Sequence, residues 1–299
     1  MAYIRWLKSD EGNKFFSIPA QIKLCNFGSS HGENGFYYGE DQYESFNFAL
    51  SAQYLSYDLR LLKNYREHLE EQGVALIVIS HQSFFGVDEI KTSQFESKNR
   101  RYYDILPKEL IKEYSARTAF YLKNFPAFAG NYTLLLALAG SLWNKPATGR
   151  QNGNDTMCTV DWAAEAEDRY TSHIIEQKYD MNGDRIYNQE EIDAVYEMIA
   201  ICREIGVTPV LITTPFAKEY TDLIHERKPD FYNDFYGLID RVCNETGVEY
   251  FDYSEDGRFN KDHSLFADAD HLNENGAKMF TAIVMEEVVD PLFKKISSV

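Results

Sequence analysis

Three times along this 299-residue chain a charged, helix-like stretch meets a glycine and then an apolar run. Glu70-Glu71-Gln72-Gly73 leads into 74–80, Arg203-Glu204-Ile205-Gly206 into 207–214, and Asn244-Glu245-Thr246-Gly247 into 248–253. Glycine ends helices because it enters the left-handed conformation without a steric cost. Each junction therefore predicts a helix C-terminus followed by a strand. The first two runs are almost wholly apolar, as strands covered on both faces are. With 22–27 and 45–50 as further strands, the expected fold is a three-layer α/β/α domain around a parallel five-stranded sheet. Helices expected over 53–72, 189–205 and 275–296 carry apolar residues at helical spacing, among them Leu55, Leu59 and Leu62, then Ile192, Val195 and Ile199, then Phe280, Val284 and Val288.

The alternation stalls between 80 and 207. Helices are expected over 108–124 and 132–143, and 147–161 has the Gly, Asn and Thr content of a loop. The chain reads as a single domain, 1–299, with a mostly helical insertion at about 86–188 between the third and fourth strands. Long excursions from a compact core are often functional, so this one is expected to cap the site or select substrate. Asp180, Asn182, Asp184, Asn188 and Glu191 evoke a calcium loop, but Gly183 stands at its fourth place rather than its sixth and Ile186 comes one place early. An oxygen-rich turn before the helix at 189 is expected instead, with no metal and no cofactor.

Forty-seven acidic against thirty basic residues give a net charge of −17, which argues against nucleic-acid or anionic-membrane partners. Cys25, Cys158, Cys202 and Cys243 have no metal-ligand spacing, and Cys25 and Cys202 read as small buried hydrophobes. The 21 Tyr and 20 Phe suit a core, and also grooves that bind sugars or extended chains. Residues 1–16 lack the apolar core of a secretory leader, and the longest apolar stretch, 132–143, is too short to span a bilayer. A soluble chain without membrane contact is expected, cytoplasmic unless a leader or anchor was removed and cell-surface if one was. Nothing in the sequence sets an oligomeric state.

Two short segments at opposite ends carry the chemistry. Gly28-Ser29-Ser30-His31 ends the first strand, and Asp268-Ala269-Asp270-His271 precedes the last helix. In an open parallel sheet ligands bind beyond the C-terminal ends of the strands, and Ser29 and Ser30, Ser80-His81-Gln82 and Thr213-Thr214-Pro215 all fall on that edge. A serine on a tight turn plus a distant Asp-x-x-His is what a fold needs to assemble a nucleophile, its base and the base's orienter. The pattern points to an esterase or acyltransferase.

These segments resemble blocks of the SGNH (GDSL-like) hydrolase superfamily. Gly28-Ser29-Ser30 is similar to its Gly-Asp-Ser block, with Ser29 in place of Asp and Ser30 in the nucleophile position. Asp268-Ala269-Asp270-His271 is similar to its Asp-x-x-His block, Ile212-Thr213-Thr214-Pro215 to its fourth-strand end, and residues 46–52 to Asn-x-Gly-x-Ser-Gly. Gly-Ser-Ser and the long insertion resemble the DltD-like branch of cell-envelope acyl-transfer proteins. The resemblance covers about two-thirds of the chain, excluding 85–190, and implies a flavodoxin-like SGNH fold. It implies Ser30 as nucleophile with Ser29 as rival, His271 as base, and Asp268 as orienter with Asp270 as competitor, the adjacency of Asp270 to His271 pointing it elsewhere. Oxyanion donors would be the backbone N–H groups of Ser30 and Ala52 and the side chain of Gln82, which stands where the family has Asn. Asn152-Gly153-Asn154-Asp155 follows no strand and is read as a turn. His31 and His81 are candidate substrate contacts, although a helix start facing solvent is the expected setting of His31. The implied substrate is a small acyl ester of a carbohydrate or cell-envelope polymer, hydrolysed or transferred. The rival from another class is a catalytically impaired carbohydrate-binding or scaffolding protein on the same fold.

Overall fold

The computed structural model describes residues 14–39, 43–92, 94–124 and 161–296. The described residues fall into two compact units, one drawn from 18–92 and 161–296 and the other from 14–17 and 94–124. The first holds β1 (Ile22–Phe27), α1 (Ser30–Gly35), β2 (Ser45–Asn47), α2 (Leu55–Tyr65) and β3 (Leu69–Val78). The second holds α3 (Phe95–Arg100) and α4 (Ala116–Asn124). The chain then returns to the first with α5 (Trp162–Tyr170), α6 (Gln189–Glu204), β4 (Thr208–Thr213), α7 (Lys218–Arg227), α8 (Pro229–Thr246), β5 (Glu249–Asp252), α9 (Glu274–Val284) and α10 (Asp290–Ile296).

The five strands are all parallel, in the order β2-β1-β3-β4-β5. This is the flavodoxin-like order, in which the chain reverses direction between β1 and β3 and leaves a crevice at their C-terminal ends. In the central strands β1, β3 and β4 successive residues are buried on opposite faces, as the two-residue side-chain period requires. Leu24, Leu76, Val210 and Ile212 pack with Phe280, Val284 and Val288 on one face. Cys25, Ala75, Ile77 and Leu211 are equally buried. Helices therefore cover both faces, and apolar burial at about 25 cal/mol per Å² holds the layers together. No helix among the described residues is long and apolar enough to cross a membrane.

Two expected helices are shorter than their periodicity suggested. The one expected over 53–72 ends at Tyr65, and a 3-10 turn, Arg66–His68, leads straight into β3. Residues 70–73 bulge out of the sheet, since Ile22 pairs with Leu69 but Leu24 with Val74. Gly73 is a glycine for space and not for ending a helix. A Cβ there would stand 2.8 Å from the Glu70 carbonyl and 2.9 Å from that of Lys23. The helix expected over 108–124 is a 3-10 turn, Lys108–Leu110, followed by α4, because Glu113 turns into the left-handed region at φ 46°. Gly206 and Gly247 do follow helices, and α8 is capped by Gly247. The expected helix 132–143, the loop 147–160, Cys158 and the Asn152–Asp155 turn lie outside the described residues.

Of the stretch expected as an insertion, both ends pack in the sheet-bearing unit. Gly86 donates its N–H to the Ile186 carbonyl, Phe85 bridges Tyr187, and α5 returns to the same unit. The Asp180 carboxylate accepts N–H groups from Asn182 (2.8 Å) and Asp184 (2.9 Å), closing an Asx-type turn. Glu191, two per cent exposed, accepts the Ser56 N–H at the start of α2.

Candidate active site

The site is built from the C-terminal end of β1, the loop before α9, the end of β3 and the α5 segment. Gly28 leaves β1 at φ 139°, a conformation that L-residues rarely adopt, and a Cβ on it would meet Val78 Cβ at 2.9 Å. Its N–H is held by the buried Asp58 carboxylate at 2.8 Å. That turn lets α1 begin at once. Ser29 is the N-cap residue but its hydroxyl makes no cap, lying 3.3 Å from His31 Nδ1. Ser30 is the first helical residue and is half-buried. Helix α1 has only six residues, and Asn26 and Asn47 side chains each donate to the Gly32 carbonyl at 3.0 Å, taking up an acceptor that so short a helix leaves open.

The Asp268–His271 segment is a loop turn rather than a turn of helix. Asp268 Oδ1 accepts the N–H of Asp270 (3.1 Å) and of His271 (2.9 Å), and Asn273 then caps α9 by accepting from Asn275 and Gly276. The imidazole is thereby brought between two partners. His271 Nε2 lies 2.8 Å from Ser30 Oγ, and Nδ1 lies 2.9 Å from Asp268 Oδ1. Asp270, expected to point away, also reaches His271 Nδ1, at 3.0 Å. The reason is the turn itself, which folds the main chain so that residues two apart converge.

Asp270 is the centre of a buried cluster. His31 Nε2 and His173 Nδ1 each lie 3.1 Å from its Oδ2, and Arg169 Nε lies 3.1 Å from its Oδ1. A second guanidinium nitrogen of Arg169 hydrogen-bonds Asp268 Oδ2 at 3.2 Å. Asp270 would be raised by burial, but hydrogen bonds from His173, His271 and His31 hold it well below the carboxylate range. Burial alone would lower His271. The hydrogen bonds to Asp268 and Asp270 and their charges outweigh it, and push His271 up to about 10.

His31 differs from its expected solvent-facing setting. It is three per cent exposed, because α1 turns it inward onto Asp270 and Ser80, whose Oγ lies 2.7 Å from Nδ1. His81 is fully buried against Phe216, Tyr232 and Phe235, with ring centroids 4.8–5.0 Å away, and burial lowers it to about 4. Both rings, expected as substrate contacts, are thus packed inside the fold. Ala52 adopts φ 52°, the left-handed region that a glycine enters freely, and is exposed. Gln82 is half-buried in the turn after β3, and its amide oxygen is buried without a protein partner. Arg169 and His173 were not foreseen. Their i, i+4 spacing puts both on one side of a helical segment, but only the fold shows that this side meets Asp270.

Ligand atoms of His31, Asp270 and His271 lie within 4.8 Å of one another, a spacing a metal could use. Each already has a protein partner, and the Arg169 charge stands on the carboxylates. The cluster is therefore held together by hydrogen bonds from His31 to Asp270 and from His271 to Asp268, with Arg169, His173 and His271 adding ion-pair contacts to Asp270.

A flavodoxin-like α/β fold carrying a hydrogen-bonded serine, histidine and paired carboxylates on its sheet edge is the class that these observations define. No family model matches the chain. No curated protein matches it either. Among solved structures the chain is similar to the crystal structure of a "putative acylhydrolase" from Bacteroides fragilis. The TM-score is 0.41 and the identity 10%, over 96% of this chain and 98% of that one. A likeness of that depth carries no argument about activity.

Proposed function

We propose that the chain is a serine-dependent acyl-ester hydrolase or O-acyltransferase of SGNH type. The observation that carries this reading is the hydrogen bond between Ser30 Oγ and His271 Nε2, at 2.8 Å, with Asp268 on the opposite ring nitrogen. A serine hydroxyl is a weak nucleophile and needs a base within hydrogen-bond reach. His271 takes the Ser30 proton as Oγ bonds to the ester carbonyl carbon, and returns it to the leaving alkoxide as the acyl–oxygen bond breaks. Asp268 holds the imidazole and stabilises its cation. Water or a second alcohol then attacks the acyl-Ser30 ester, with His271 again as base, and releases Ser30. The half-buried setting of Ser30 supports access by a substrate.

Charge develops on the carbonyl oxygen during attack. The N–H groups of Ser30 and Ala52 and the Gln82 amide are the donors assigned to it, and one such donor is typically worth about 100–1000-fold in rate. Ala52 in the left-handed region supports its place where the resembling family has glycine. The substrate class that the resemblance suggests is a small acyl ester on a carbohydrate or cell-envelope polymer, as in the DltD-like branch.

The test is turnover of short acyl esters with and without added sugar acceptors. Release of free acid indicates hydrolysis and acylated sugar indicates transfer, and Ser30→Ala and His271→Ala should abolish both. Wild-type protein that turns over no ester yet binds oligosaccharides would instead identify a binding module.

A further inference from the structure

The half of the cluster that the proposed reaction does not use is itself ordered as serine, histidine and aspartate. Ser80 Oγ lies 2.7 Å from His31 Nδ1, and His31 Nε2 lies 3.1 Å from Asp270 Oδ2. All three residues are at most three per cent exposed. An ionised carboxylate only accepts, so His31 must carry its proton on Nε2, and Nδ1 must accept from the Ser80 hydroxyl. The two imidazoles stack, with centroids 4.9 Å apart and planes within 15°. The chain beneath has no route to a substrate, since Ser80 is buried. What it does reach is His271, whose Nδ1 lies 3.0 Å from the other oxygen of Asp270 as an ion-pair contact.

We infer that Asp270 is a second orienting carboxylate for His271, and that Ser80 and His31 are positioning residues that fix its rotamer from below. This inference rests on the reading that His271 serves Ser30. When His271 takes the Ser30 proton, the positive charge faces Asp268 and Asp270 together, while His31 stays neutral beside it. Neutrality matters because a charged ring stacked on the imidazolium would repel it. Burial in fact lowers His31, and the charge of His271 lowers it further, against the opposing effect of Asp270.

Among the described residues, titratable and charged groups face this pair from several elements, and His81 after β3 interacts electrostatically with His31. Asp268 lies on the same loop, His31 and Ser29 on α1, Ser80 after β3, and Arg169 and His173 on α5 and the turn beyond it. Tyr220 on α7 adds its own coupling to Asp270. Only Arg169 among them is a fixed cation, and it touches both carboxylates.

Two measurements test the inference. The first is a histidine-ring nitrogen NMR titration, which needs no catalysis. Asp270→Asn should lower the His271 midpoint by about one to two pH units, as loss of an adjacent carboxylate does, with His225→Gln as the unaffected surface control. An unchanged midpoint in Asp270→Asn overturns the inference. The second is the rate of Ser30 modification by a fluorophosphonate, resolved into binding and inactivation constants. His31→Phe should slow inactivation about 10- to 100-fold with binding unchanged, the worth of a hydrogen bond to a charged group. His31→Gln should restore the rate, because its amide can donate to Asp270 and accept from Ser80. His31→Phe reacting at the wild-type rate overturns the positioning role, and keeps the idea falsifiable should Asp270→Asn not fold. Wild-type protein that resists the reagent while the titration shift is present counts against Ser30 attack and for the pairing of Asp270 with His271.

Discussion

At the scale of single residues, the account turns on which charges His271 sees. Two carboxylates push it up to about 10, so little of it is neutral near pH 7. The neutral form is the one that can accept the Ser30 proton, so ester turnover should climb with pH through the alkaline range until that group has lost its proton. Arg169 works against the carboxylates by sharing both of them. Arg169→Gln should therefore move the rising limb of the pH–rate profile upward, the reverse of Asp270→Asn. A profile that shifts down, or not at all, would show that the guanidinium does not oppose the carboxylates. That Ser30, His271 and Asp268 come together was legible in the sequence because residue types at fixed spacing carry the pattern. Asp270 was misplaced, since adjacency along the chain says nothing about how a loop turn aims two side chains. The burial of His31 and His81 was not legible for a related reason: burial is a property of the packed layers and leaves little local trace.

At the scale of elements, alternation and apolar runs were enough to recover the five strands and their parallel sense. Lengths were harder to read. Leu69 continues the helical spacing of α2 yet opens β3, and the sheet claims it because its partner Ile22 stands ready beside it. Tertiary pairing outweighs local propensity at such a junction. Gly28 shows the converse case, where one residue decides an element boundary. Its φ of 139° and the 2.9 Å clearance from Val78 Cβ make Gly28→Ala strained, at a cost of about 1–3 kcal/mol. Urea unfolding should show that loss, and ester turnover should fall with it, because the same turn starts α1 and aims Ser30. A variant as stable as wild type would mean that β1 and β3 can part without penalty.

At the scale of the whole molecule, the cluster links stability to pH with opposite signs at its two ends. His271 is raised above its ordinary 6.5, so the folded chain holds that proton more tightly than the unfolded one. Its contribution is complete below 6.5 and is lost as pH rises toward 10. Asp270 is held below its ordinary 3.8, so its contribution is present above that value and is lost on acidification. The denaturation midpoint should therefore fall on both sides of a plateau, and Asp270→Asn should flatten both slopes; a variant with wild-type slopes would detach the cluster from folding. These couplings matter only if the cluster serves Ser30. The most direct measurement is peptide mapping of the protein after reaction with a fluorophosphonate. Three serine hydroxyls lie within 3.3 Å of the two stacked imidazoles, those of Ser29, Ser30 and Ser80. The adduct is expected on Ser30 alone and should vanish in His271→Ala. An adduct on Ser29 or Ser80, or an unmodified chain that also turns over no ester, would contradict the account.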